Sequence, residues 1–276
     1  MSEPQVAASG HLLEPEQLQA RLNDTGQGIL LVQVTSAEVF VQAHIAGATL
    51  VTPAELVCGI PPATGKLPAL ADLEQLFNRI GYQPHKSVVV YDDEGGGWAG
   101  RLAWTLDVIG HADWQYLNGG LHAWHHAGLP LQQGDGGAGN ANHNPLALQI
   151  DKQPIAEIED VLQTLDDPNA VVWDVRSAEE YQGLRAAAAR SGHIPGAVNL
   201  DWLLLQDADA QYRITDSVVE RVRALGIMDK AVITHCQTHH RSGLSYMLGR
   251  ILGMDIRAYH GSWSEWGNRE DTPIEV

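Results

Sequence analysis

The sequence predicts an α/β protein of two tandem units, each a parallel sheet flanked by helices. Three observations carry that expectation. First, the chain reads twice. "ILLVQVTSAEVF" at 29–40 returns as "AVVWDVRSAEEY" at 170–181, and "HIAGATLV" returns as "HIPGAVNL". "SVVVYDDEGGGWAG" returns as "AVITHCQTHHRSG", and "YLNGGLHAW" as "AYHGSWSEW". Four blocks in one order define a repeated unit, with expected bounds of 11–131 and 154–276. Second, short β-branched runs alternate with helical stretches in each copy, as in a parallel sheet covered on both faces. Third, "QQGDGGAGNANHNP" lies between the copies. It is rich in Gly and Asn and poor in large apolar groups, which places a linker at 132–153.

The elements follow from local signals. The run 171–175 is β-branched and preceded by "DDPN", so it reads as a buried strand. Ser177 opens a helix, with Glu180 three residues later completing a capping box. Asp216 caps the next helix, whose apolar stripe ends at Gly226. The run 231–234 is the following strand. In such sheets ligands bind beyond the carboxyl ends of the strands, and Cys236 stands at such an end.

Bulk composition excludes several function classes. The 276 residues carry a formal charge of -17, which argues against nucleic-acid or anionic-membrane partners. An anionic ligand therefore needs a local positive pocket. Apolar runs such as "ILLV" are far too short to span a bilayer. The N-terminal stretch shows no basic segment followed by an apolar core, so a cytoplasmic protein is expected. The two cysteines, Cys58 and Cys236, are expected to be reduced.

Cys236 carries the chemistry. A strand that feeds a short loop and then a helix aims backbone N–H groups and the positive helix end at that loop. Arg241 adds a permanent cation. A free cysteine near pKa ~8.5 is only about 3% thiolate at pH 7. A two-unit depression, about 2.7 kcal/mol of differential stabilisation, makes it mostly thiolate. The polar "Gln-Thr-His-His-Arg" tail is poor material for a core, so an inert buried cysteine is the weaker reading; for Cys58 the inert reading is preferred. Three chemistries compete. Metal binding by His235, Cys236, His239 and His240 lacks a second cluster to complete a tetrahedron, so no metal or cofactor is expected. Cysteine phosphatases and arsenate reductases need a wider loop: five residues separate Cys and Arg there, and four here. Persulfide chemistry, with one sulfur atom held on Cys236, suits the shorter ring.

The chain resembles the rhodanese family of sulfurtransferases in its tandem form. The resemblance rests on "DVRSAEEY" with "SGHIPGAVNL", on "CQTHHR" after "AVIT", and on "YHGSWSEW". It implies that 154–276 is catalytic and that 11–131 has lost its cysteine, Asp92 standing opposite Cys236. It also implies transfer of a sulfane sulfur from thiosulfate to cyanide or a thiol by double displacement, with Gln237, Thr238, His239, His240, Arg241 and Ser242 as the cradle. Arg241 is expected to orient the loop. Relatives suited to thiosulfate carry cations at positions that are Thr238 and Glu180 here, leaving Arg185 or Arg190 as replacements. Mercaptopyruvate as donor, or a persulfide carrier serving a protein partner, are the alternatives. A monomer suffices.

Other residues have plainer expectations. Asp174 and Arg176 form a fixed ion pair. Trp202 lines the cleft or fills the core. His239 and His240 either assist anion entry, partly protonated, or are merely solvated. His44 and His193 recur as turn or cap residues, and Trp124 and Trp266 as packing residues. "EGGGWAG" lacks the Lys-Ser/Thr of a nucleotide loop and reads as a degenerate active loop.

Overall fold

The computed structural model describes residues 10–24, 28–136 and 146–276. The first unit runs β1 (Leu12–Leu13), α1 (Pro15–Asp24), β2 (Ile29–Val34), α2 (Ala37–Gln42), β3 (His44–Ile45), β4 (Thr49–Val51), α3 (Leu70–Arg79), β5 (Ser87–Asp92), α4 (Gly97–Val108), β6 (Trp114–Leu117), α5 (Gly120–His126) and β7 (Leu131–Gln132). The second runs β8 (Ile155–Ala156), α6 (Ile158–Thr164), β9 (Ala170–Asp174), α7 (Ala178–Tyr181), β10 (Val198–Asn199), α8 (Asp216–Ala224), β11 (Ala231–His235), α9 (Arg241–Ile251), β12 (Ile256–Tyr259) and α10 (Ser262–Trp266). Each unit builds a five-stranded parallel sheet, in the orders β1-β6-β5-β2-β4 and β8-β12-β11-β9-β10. The strands correspond one for one, so the repeat in sequence is a repeat in topology.

Alternation along the central strands sorts the core into layers. Val88 and Val90 of β5 face a large core shared by both units. Val89 and Tyr91 face the opposite side, against Leu18 of α1 and Trp124 of α5. In the second unit Val172 and Ile233 likewise face Val161, Trp263 and Trp266. The shared core is closed by α4 and α9, both buried along nearly their whole length. They approach at glycines. A methyl group on Gly243 would fall 2.5 Å from the Arg101 nitrogen, and one on Gly100 2.7 Å from the Leu244 nitrogen. Anything larger than hydrogen would part the two units.

Local signals acted as their chemistry dictates, with one exception. Ser177 accepts the Glu180 N–H at 3.3 Å and Glu180 accepts the Ser177 N–H at 3.2 Å, a closed capping box. Asp216, by contrast, is the first helical residue of α8; Thr215 occupies the cap position and makes no side-chain cap bond. The paired histidines each donate from Nδ1 to the carbonyl of the preceding helix: His44 to Phe40 and His193 to Tyr181, both at 2.8 Å. Each stacks on the same aromatic residue. Trp124 and Trp266 also match, donating to Pro130 and Pro273. Of the expected linker, residues 137–145 lie outside the described residues. Beyond them Leu146, Leu148 and Ile150 pack against the shared core, and Asp151 N–H donates to Val108.

Candidate active site

Cys236 follows β11 and precedes α9, at the carboxyl edge of the second sheet, and is 1% exposed. The loop between is turned by its own carbonyls. Cys236 O accepts the Trp263 N–H at 3.0 Å and Gln237 O accepts the Ser264 N–H at 2.9 Å. With its carbonyls tied to the start of α10, the loop turns amides toward the sulfur. Backbone N–H groups of Thr238 and Ser242 reach Sγ, and the Ser242 hydroxyl lies 3.5 Å from it. Burial works against a thiolate there. The Arg241 cation, the Ser242 hydroxyl and these two amides outweigh it, holding Cys236 below its ordinary pKa.

Arg241 opens α9 and forks onto Glu180, Nη1 at 2.6 Å and Nη2 at 2.9 Å. Burial pushes the Glu180 carboxyl up, but the Arg241 fork dominates and holds it below the usual range. Asp174 and Arg176 form a fully buried pair, Nη2 to Oδ2 at 2.6 Å, with Arg176 also donating to the Gly192 carbonyl. The pair sits behind the loop, and the buried His235 ring lies 3.5 Å from Asp174.

The remaining expected residues divide by position. Gln237 donates to the Ala187 carbonyl at 2.9 Å and bridges to the 183–192 loop. Arg185 is exposed beside Glu179. Arg190 donates to Thr272 and to the Trp266 carbonyl, which ties the C-terminal segment rather than the sulfur pocket. Trp202 is half-buried and tilts over His240, ring centres 5.8 Å apart. His240 stacks on Trp98 of the first unit at 4.2 Å and lies 3.3 Å from the Glu94 carboxylate. His239 is fully buried, which corrects both expectations for it. It is not solvated, and burial holds its pKa well below the ordinary value, so it stays neutral. The cause is the first unit, whose Trp104 ring lies edge-on at 4.6 Å.

Sequence reasoning missed how much of the pocket the first unit supplies. Arg101 of α4 is fully buried and donates to the carbonyls of Gly65 and Leu56 at 2.8 and 2.6 Å. It pins the 56–66 segment, and Gly65 in that segment abuts Thr238 of the active loop. Lys66 then reaches Glu157 at 3.1 Å and Glu265 at 2.8 Å in the second unit. These contacts join residues far apart in sequence, where no spacing rule applies. Cys58 lies in the same segment, half-buried, with Sγ 3.5 Å from the Ala63 carbonyl.

Strand register identifies the counterpart of Cys236. Asp174 pairs with His235, so Cys236 comes one residue later. The equivalent Gln33 pairs with Tyr91, so Asp92 comes one later. The Asp92 carboxylate sits where a sulfur would and accepts N–H groups of Glu94, Gly96 and Ala99 at 3.2, 2.8 and 2.9 Å. The first unit thus keeps the amide cradle around a carboxyl group, whose pKa burial pushes up against the pull of these amides. The third loop positions also match: Gly95 and His239 both take positive φ, +86 and +57.

The rhodanese-like domain matches the sequence twice, over residues 14–127 and 157–269. The chain belongs to the rhodanese family. It is 45% identical over 268 residues to a thiosulfate sulfurtransferase of Azotobacter vinelandii, covering 96% of this chain and 97% of that one. A thiosulfate sulfurtransferase of Pseudomonas aeruginosa is 46% identical over 267 residues, with 96% and 97% covered. Among solved structures, the rhodanese pair of sheets superposes on YnjE with a TM-score of 0.84 at 20% identity, over 96% of this chain and 68% of that one. Among the described residues no helix is long and apolar enough to cross a membrane.

Proposed function

We propose that this protein is a thiosulfate sulfurtransferase with Cys236 as its nucleophile. The observation that carries the reading is the convergence of two amides, one hydroxyl and the Arg241 charge on the Sγ of a residue at a strand's carboxyl end. The Cys236 thiolate attacks the outer sulfur of thiosulfate. The S–S bond of the donor breaks, sulfite leaves with the bonding pair, and Cys236 becomes a persulfide. Its terminal sulfur is an anion, and the amides of the 237–242 loop are the groups that receive its charge. Cyanide or a thiol then attacks that sulfur, and Cys236 returns as thiolate. Two displacements through one covalent intermediate predict ping-pong kinetics.

The first unit serves as a wall. A carboxylate cannot accept sulfane sulfur, and Asp92 fills its own cradle. Trp98, Trp104 and Gly65 of that unit line the loop of the other. A phosphatase reading is disfavoured by Arg241, whose two terminal nitrogens are committed to Glu180 and not free to fork onto a phosphate. The names of the two relatives favour thiosulfate as donor. A Thermus relative at 30% identity is named a sulfur carrier protein, which favours a protein thiol among the acceptors. Both thiols are unpaired, as a reducing cytoplasm would keep them. The test is thiocyanate formation from thiosulfate and cyanide. Wild type turns over and Cys236→Ala does not; turnover by Cys236→Ala would overturn the assignment.

A further inference from the structure

The His239 side chain has no part in the mechanism above, yet its placement is unusual. It is a bulky side chain held at φ +57, in the left-handed region that favours glycine. The first unit has Gly95 at the matching loop position. A buried imidazole in a glycine conformation, facing the reactive sulfur through one intermediate group, points to a role. That intermediate group is Ser242. Its Oγ lies 2.8 Å from His239 Nδ1 and 3.5 Å from Cys236 Sγ.

The hydroxyl owns one proton and has two neighbours to give it to. A charge-assisted hydrogen bond to a thiolate is roughly twice as strong as one to a neutral ring nitrogen. The proton therefore turns to Sγ, and Ser242 Oγ accepts from the imidazole. A neutral His239 then carries its single proton on Nδ1. Its Nε2 is left as a bare lone pair, in keeping with the absence of a hydrogen-bond partner for that atom among the described residues. The alternative tautomer would pull the Ser242 proton away from the sulfur and release the thiolate.

We infer that His239 is a positioning residue that donates from Nδ1 to Ser242 and so fixes the Ser242 hydroxyl on the Cys236 sulfur, thiolate and persulfide alike. The first unit enforces this state. Trp104 meets the ring edge-on, and the titratable and charged groups facing His239 are Arg101 of α4, His260 after β12, and His240. Each cation among them disfavours a second proton on the ring, and burial does so more strongly. The first unit thereby acts on the sulfur chemistry through a chain of Trp104, His239 and Ser242, in addition to walling the pocket.

This inference rests on the proposed role of Cys236, and its test reads the thiolate directly rather than turnover. In a Cys58→Ser background, the pH dependence of iodoacetamide alkylation reports Cys236 alone. His239→Gly suits the left-handed backbone and removes the donor. It is expected to raise the Cys236 pKa by about one unit, a roughly tenfold loss of thiolate below that pKa. His239→Asn tolerates positive φ and offers an amide donor near the Nδ1 position, so it is expected to restore most of the shift. Combined with Ser242→Ala, His239→Gly is expected to add nothing, because the path between them is already broken. An equal shift from His239→Gly with or without Ser242 overturns the chain, as does a His239→Gly protein whose thiol titrates like its parent. Absent thiocyanate turnover with these shifts intact would instead count against the sulfurtransferase reading.

Discussion

Gly65→Ala isolates the claim that the first unit braces the active loop. A Cβ at Gly65 would sit 2.5 Å from the Thr238 carbonyl carbon and 2.9 Å from its Cα, where ordinary contact begins at 3.4 Å. The neighbour is backbone, so no side chain can swing aside. Nor does Gly65 hold a left-handed conformation, so the substitution carries no backbone strain of its own. The loop must retreat by about 1 Å, and overpacking of this kind destabilises a protein by about 1–3 kcal/mol. Thr238 supplies one of the two amides on Sγ. Displacing a reacting group by about 1 Å is worth up to roughly 100-fold in rate. The kcat/KM for thiosulfate should therefore fall between about 10- and 100-fold, with a lower Tm, in a thiocyanate assay paired with a thermal melt. Gly28→Ala, with nothing within 4 Å, should change neither. Gly65→Ala with wild-type kinetics and Tm would refute the bracing.

Arg241→Gln removes the cation that offsets burial at Cys236. The thiol pKa should rise by about one to two units, moving the acid limb of alkylation and of turnover to higher pH. Glu157 is held down to about 2, against its ordinary 4.5, chiefly by hydrogen bonding to His260 and also by Lys66. Because the folded pKa is the lower one, the stabilisation is present above pH 4.5 and is lost as pH falls toward about 2. Glu157→Gln should thus melt below wild type at neutral pH, the gap closing through that window; a constant gap would exclude the ion pair as its cause. Cys58→Ser should keep kcat/KM within about twofold, since among the described residues the Cys58 sulfur has its hydrogen-bond partners within its own segment.

The repeat and the short apolar runs made the fold legible, because strands buried on both faces read as continuous apolar stretches and the copies reinforce one another. The Ser177 capping box was legible for the same reason, its partners lying three residues apart. Asp216 misled because Thr215 beside it is an equally good capping type, and sequence alone does not choose between neighbours. The position of Cys236 between a strand and a helix was legible from the apolar run before it and the helical stretch after it. His239 was not: a run of polar residues reads as solvated, and its burial depends on Trp104, a residue of the other unit. The Glu180–Arg241 fork spans 61 positions and the Lys66–Glu157 bridge spans 91. Nothing periodic connects such residues: the pairing of β9 with β11 brings the first pair together within one sheet, and the contact between the two units brings the second.

Sulfur transfer through Cys236 requires one sulfur atom to rest on that one residue. Incubation with thiosulfate, followed by intact mass measurement and peptide mapping, should find one added sulfur on the peptide carrying Cys236. Cyanide should remove it with an equal yield of thiocyanate. Thiocyanate produced while Cys236 stays unmodified, or sulfur added at Cys58 instead, would contradict the account.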